Sequence, residues 1–198
     1  MPDAQPPAVP SSELPAPVVR PATVADAERL SEIHRPYVLE TTITFDEQPW
    51  PPSHWAGRIE AITADGWPFL VVEDGPVGGV GGDRRVVGFA YVSAFRPKAA
   101  YRHTVEDTIY LDGASTGRGL GRLLLDALLE QAAAAGARQV IAVISDPGAE
   151  SSIRLHRRAG FVDAGRLRAV GRKLGRWVDT VNLQRSLDGP AGSGSVAG

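Results

Sequence analysis

Apolar positions along the chain follow two periods, one near two residues and one near 3.6, and the switches between them outline the elements. Val18–Arg20 reads as a short first strand, and Thr23 follows as an N-cap with Asp26 three residues on, in capping-box register. Leu30, Ile33 and Tyr37 then give a helix one apolar face. Thr41–Phe45 is short and β-branched, a strand or an extended loop. Ser53 reads as a second N-cap, Trp55, Ile59 and Ile62 follow at helical spacing, and Gly66 ends that helix. Phe69–Glu73 and Val86–Phe95 read as strands, and Thr104–Leu111 as a third. On that third strand Thr104, Glu106 and Thr108 share one face and Val105, Asp107 and Ile109 the other, which makes Asp107 a structural residue.

A helix from about Gly119 to Ala135 buries Leu120, Leu124, Ala127 and Leu128, and Gly136 stops it. Gln139–Ile144 is an unbroken apolar run, as expected of a central strand covered on both faces. A short helix spans Glu150–Arg158, Gly160 ends it, and Phe161–Ala164 starts another strand. Trp177–Leu187 alternates and closes the sheet. The order β-α-α-β-β-β-α-β-α-β-β predicts an α/β (or α+β) fold, a mixed sheet flanked by helices.

Composition trims this picture. The chain has 198 residues, enough for one domain with its own core. Residues 1–17 hold six prolines and read as a disordered arm, and the Gly/Ser tail 188–198 as a loose end, leaving a folded body at 18–187. The five-glycine stretch GPVGGVGGDRR joins two strands and opens no helix, so it reads as a hairpin loop and not as a phosphate cradle. The absence of cysteine removes disulfides, zinc–thiolate sites and thiol nucleophiles, and fits a reducing cytoplasm. A net charge of −2 argues against a nucleic-acid partner. No apolar run approaches a membrane span and the N-terminus has no signal-peptide pattern, so no membrane partner is expected. His34, His54, His103 and His156 have no metal-ligand spacing, so no metal is expected, and no Gly-x-Ser-x-Gly elbow occurs.

The chemistry concentrates in TVEDTIYLDGASTGRGLGRLLLDALL, residues 104–129. A strand runs into a loop that opens a helix through Gly117, Arg118, Gly119, Leu120, Gly121 and Arg122. Glycines let backbone N–H groups converge on one anion, and the helix N-terminus and two arginines add positive potential. Such charge-assisted hydrogen bonds contribute about 1.5–3 kcal/mol each, so the segment suits a pyrophosphate. It lacks the lysine of a P-loop and the glycine spacing of a dinucleotide fold.

This motif resembles the coenzyme A signature of the GCN5-related N-acetyltransferases, and SSIRLHRRAGF (151–161) is similar to that family's downstream helix. TTITFDEQPW, FRPKAAYRHTVEDTIYL and AVGRKLGRWVDTV resemble the phosphinothricin and methionine-sulfoximine acetyltransferase branch. The resemblance implies a V-shaped sheet with acetyl-CoA in its split, acetyl transfer to the α-amine of a small amino acid or analogue, and a homodimer. It makes Glu106 the general base and His156 the general acid. It gives the backbone of Ile109, Tyr110 and Leu111 to the pantetheine arm and the thioester carbonyl, with Ala149 and Ser152 beside them. Two positions depart from the family pattern: Thr116 replaces its Arg or Gln, and Ala149 its Asn.

The basic loop with Arg96, Lys98, Ala99, Ala100, Tyr101, Arg102 and His103 suits a carboxylate- or phosphinate-bearing substrate. Tyr37, Phe45 and Trp177 are candidate pocket walls. Two alternatives stay open on sequence alone: a non-catalytic acetyl-CoA sensing domain, and a protein N-terminal acetyltransferase.

Overall fold

A computed structural model describes residues 16–75 and 84–187. The arm up to residue 15, the loop 76–83 and the tail 188–198 lie outside the described residues, and with them most of the expectations attached to those segments. Strand β1 (Val18–Pro21) leads through a 3₁₀ turn into helix α1 (Ala27–Glu40), and α2 (Pro52–Ala64) follows. Then come β2 (Phe69–Asp74), β3 (Arg85–Ala94), β4 (Thr104–Leu111), α3 (Leu120–Ala134), β5 (Gln139–Asp146), α4 (Glu150–Arg158), β6 (Val162–Lys173) and β7 (Arg176–Ser186). The element order is the one expected from the hydrophobic pattern.

One sheet takes all the strands in the order β1-β2-β3-β4-β5-β7-β6. Every neighbouring pair is antiparallel except β4 and β5. Period-two alternation on the central strands feeds two cores. Leu70, Val72, Val87 and Val92 pack under α3 through Leu124, Leu125 and Leu128. Phe69, Val71, Phe89 and Tyr91 face α1 and α2 through Leu30, Ile33, Trp55 and Ile59. Each fully buried leucine of α3 contributes about 1.5–3 kcal/mol of transfer free energy.

The α1 entry is fixed by charge as well as by packing. Thr23 donates its N–H to Asp26 at 2.8 Å, and Arg20 donates to both Asp26 oxygens at 2.8 Å. The same guanidinium reaches Glu73 at 2.8 Å, tying β1 and β2 to the start of α1.

Several expectations change. Helix α2 begins at Pro52 with Pro51 as N-cap, not at Ser53, because a proline at the first helical position gives up no needed donor. Thr41–Phe45 forms bends and no strand. Strand β7 does not close the sheet but sits inside it, between β5 and β6. Strand β5 is not covered on both faces throughout: Val143 is exposed.

That divergence organises the molecule. The β4–β5 register covers only Thr104–Glu106 against Gln139–Ile141. Beyond it the strands part. Gly88 opposes Leu111 near the mouth of the gap, and a β-carbon there would collide with Leu111 Cδ2 and stand 3.0 Å from the Tyr110 carbonyl oxygen. We expect Gly88→Ala to lower unfolding free energy by about 1–3 kcal/mol, measured by urea titration, since the Leu111 side chain must move to make room.

Candidate active site

The gap between β4 and β5 leaves peptide groups to be accounted for. Phe95 N–H donates to Thr104 O, and Asp112 N–H to Val87 O, at the two ends of the β3–β4 ladder. Antiparallel alternation then directs the peptide groups of Glu106, Thr108 and Tyr110 toward β3. Those of Ile109 and Leu111, beyond the last β5 pairing, face the gap. The Leu111 carbonyl accepts the Tyr37 hydroxyl at 2.6 Å. Of the three strand residues expected to offer backbone to a ligand, Ile109 and Leu111 are so placed. Tyr110 instead spends its backbone on β3 and packs its ring against His34, Tyr37 and Phe89.

Two cavities meet at this split. The outer one, about 460 Å³, is lined by Leu111, Tyr37, Thr116, Gly117, Gly119, Gly121 and Arg122, with Arg154 and Arg158 of α4. Gly119 caps α3 in the left-handed region (φ 81°) and Gly117 shares that conformation (φ 75°), which favours glycine at both. The loop thus delivers the first-turn N–H groups of α3 to the cavity without side chains in the way. Leu120 is buried in the core and serves the cradle only by its backbone. Arg118 turns away and ion-pairs with Asp74. Arg154 and Arg158 were not legible as cavity-lining residues, although their i,i+4 spacing on one helix was available as a signal.

The inner cavity, about 470 Å³, holds Glu106, Asp107, His156, Arg58, His34 and Phe45 among its walls. Ile43, Ile109, Tyr110, Ala149 and Ser152 line both cavities, so the two communicate through the split. Phe45 lies over Gly171, where any β-carbon would strike its ring. Lys173, also on β6 and buried, donates to the Thr44 carbonyl at 2.7 Å and the Tyr37 carbonyl at 3.3 Å. The segment after α1 is therefore strapped to the β6–β7 hairpin.

Asp107 and His156 form a buried pair. His156 Nε2 stands 2.9 Å from Asp107 Oδ2, and Nδ1 stands 2.8 Å from the Ser152 carbonyl oxygen. Burial alone would lower the His156 pKa, but the Asp107 hydrogen bond and charge, with the Ser152 carbonyl, outweigh it and raise the value. Asp107 is thus a partner of the site histidine and not merely a structural carboxylate. Glu106 is half-buried, and burial pushes its carboxyl upward; the Asp107 charge adds to this while Arg58 and Arg96 oppose it. His34 sits among Trp50, Trp55 and Tyr110, where burial lowers it to about 4.

Several buried polar atoms lack a partner: His34 Nδ1, Trp55 Nε1, Arg58 Nε, Asp107 Oδ1 and Thr180 Oγ1 all belong to inner-cavity residues. Arg58 lies over the rings of Tyr91 and Trp50, at 5.1 and 5.8 Å. Sequence reading missed it; its signal was one arginine three residues after Trp55 on the apolar face of α2. Most of the basic loop is placed elsewhere, although the Arg96 charge reaches Glu106. Arg96, Ala99, Ala100, Tyr101, Arg102 and His103 line neither cavity, and Ala99–Tyr101 is an exposed 3₁₀ turn. Trp177 is exposed on β7, away from both cavities. Among the described residues no three His, Asp or Glu side chains converge as metal ligands would, and no helix is long and apolar enough to cross a membrane.

Comparison with known proteins places these features in a family. Residues 30–161 match the model of the acetyltransferase (GNAT) family. The chain is 37% identical over 163 residues to phosphinothricin N-acetyltransferase of Alcaligenes faecalis, covering 82% of this chain and 79% of that one. It is 36% identical over 170 residues to L-methionine sulfoximine/L-methionine sulfone acetyltransferase of Pseudomonas paraeruginosa, covering 86% and 94%. A solved GNAT-superfamily phosphinothricin acetyltransferase from Sinorhizobium meliloti, in complex with acetyl-CoA, superposes with a TM-score of 0.78 at 42% identity, covering 86% and 88%.

The buried pair makes stability depend on pH. A histidine raised in the folded state contributes fully below its unfolded value of about 6.5, and that contribution is lost as pH rises through the folded value. Asp107→Asn should cost about 3–5 kcal/mol at neutral pH. It should also reverse the slope, because burial without the carboxylate lowers His156. Urea midpoints from pH 5 to 9 in both proteins check this.

Proposed function

The chain belongs to the GNAT acetyltransferase family, and from that premise we propose that it transfers the acetyl group of acetyl-CoA to the α-amine of a small amino acid or analogue, of the phosphinothricin or methionine-sulfoximine kind. The observation that carries the reading is the chemical make-up of the inner cavity. Carboxylate acceptors from Glu106 and Asp107 share it with unpartnered donors from Arg58 and Trp55. An ammonium suits the first set and a carboxylate or phosphinate the second.

The outer cavity suits acetyl-CoA in its glycine-lined helix N-terminus and in its arginine rim. In this reading Arg122, Arg154 and Arg158 hold its phosphates, and the gap-facing backbone of Ile109 and Leu111 holds its pantetheine arm. Thr116 and Ala149 leave that cradle intact, since its donors are backbone groups. Acetyl-CoA supplies the activated acyl group. Glu106, with its raised pKa, takes a proton from the substrate ammonium so that the amine can attack the thioester carbonyl. In this reading the Leu111 N–H stabilises the oxyanion. Holding both substrates where the cavities meet supplies the proximity term. Arg58, rather than the Arg96–His103 loop, recognises the substrate anion.

A homodimer belongs to the same proposal. The β6–β7 hairpin carries exposed Leu167, Val170, Leu174 and Trp177, and the outer edge of β6 has no strand partner among the described residues. A second copy of the chain would cover it. Sedimentation analysis should give twice the 21.0 kDa chain mass, and Trp177→Arg should shift it toward the monomer. A cytoplasmic setting, where acetyl-CoA is used, completes the proposal.

Thiol release from acetyl-CoA should be strong with phosphinothricin, methionine sulfoximine or methionine sulfone and weak with peptides. Glu106→Gln should lower kcat by about 10²–10⁴-fold while calorimetric binding of acetyl-CoA is retained. In the wild type kcat/KM should fall as pH drops through the raised Glu106 pKa. Acetyl-CoA binding without turnover on any amine would replace the enzyme reading by a sensing domain.

A further inference from the structure

His156 is placed where a general acid is expected, yet neither ring nitrogen is free. Nε2 meets the Asp107 carboxylate at 2.9 Å and Nδ1 the Ser152 carbonyl at 2.8 Å, and the ring is 2% exposed. Both partners only accept, so both nitrogens carry hydrogens and both point into the protein. Ser152 Oγ stands 3.3 Å from the same Nδ1. With its oxygen accepting a share of the Nδ1–H, the hydroxyl keeps its own hydrogen for another acceptor. Ser152 is half-buried and lines both cavities, whereas His156 lines only the inner one.

We propose that Ser152 is the residue that protonates the departing coenzyme A thiolate, with His156 and Asp107 as positioning residues behind it. The inference rests on the acetyl-transfer reading above. As the carbon–sulfur bond breaks, the sulfur takes the Ser152 hydroxyl proton and Ser152 Oγ takes the Nδ1 proton of His156. His156 is left neutral, with its Nε2–H still on Asp107. Of the two protons lost by the substrate ammonium, one restores His156 through solvent and the other is released. The serine thereby relays a proton that the buried ring cannot deliver itself.

The test is single-turnover acetyl transfer with two donors. One is acetyl-CoA; the other is the acetyl thioester of 4-nitrothiophenol, whose thiolate leaves without needing a proton. With acetyl-CoA, Ser152→Ala should slow transfer about 10²-fold, and Ser152→Thr, which keeps a hydroxyl, should recover most of the rate. The thermal midpoint should be unchanged. With the aryl thioester, Ser152→Ala should match the wild type. A Ser152→Ala rate equal to wild type with acetyl-CoA, or a loss equal with both donors, overturns the relay alone. A wild type that transfers from neither donor to any amine overturns the acetyltransferase reading and the relay with it.

Discussion

A β-strand that loses its neighbour partway along must have its peptide groups satisfied by something other than the sheet, and β4 is such a strand. Three residues pair with β5 before the two part. On one side β4 remains locked to β3 along its whole length. On the other, Ile109 and Leu111 lie beyond the last β5 pairing and turn their peptide groups to the gap, where the Leu111 carbonyl accepts from the Tyr37 hydroxyl. Orphaned backbone in a groove costs free energy unless a ligand or water takes it up. An extended amide-bearing chain lying along the strand would restore the missing ladder. The split also sets where everything else goes: the glycine turn into α3 opens on one side of it, the carboxylates on the other.

Charge is distributed around that split by burial as much as by pairing. Asp107 and His156 pair inside the wall, which raises the pKa of the histidine. Glu106, one residue away, has no such partner and is left with a carboxyl whose ionisation is opposed by its surroundings. Neighbouring carboxylates on one strand thus divide the work, one anchoring a proton and the other poised to accept one. His34 is driven the opposite way and stays neutral in its aromatic surroundings. Within one cavity, burial and specific neighbours thus shift His156 and Glu106 upward and His34 downward.

The fold was legible because its hydrophobic periods are clean. The 104–111 strand, the glycine-led helix and the 150–158 helix stand where the pattern set them. The glycine motif and Glu106 were legible too, since they combine unusual residues in a short window. What could not be read were consequences of distance in the chain. The Asp107–His156 contact joins residues 49 apart, and period-two reasoning could only assign Asp107 to the face opposite Glu106. Arg58 reached the cavity because α2 packs over Tyr91, and the Arg96–His103 loop missed it because the turn faces solvent. Position beside a catalytic strand in sequence is a weak guide to position beside it in space.

The strap over the inner cavity is held mostly through its main chain. Lys173 grips carbonyl groups of Tyr37 and Thr44, and Ser145 donates to the Ile43 carbonyl at 3.1 Å. Every residue type offers that carbonyl. The side chains that the strap turns toward the cavity can therefore drift without loosening their own support. A lineage carrying this lysine could exchange one acceptor molecule for another by changing a few strap residues, while the acyl-donor side of the split stayed as it was. The breadth of substrates open to descendants of such a scaffold is set by one buried ammonium group that never meets them.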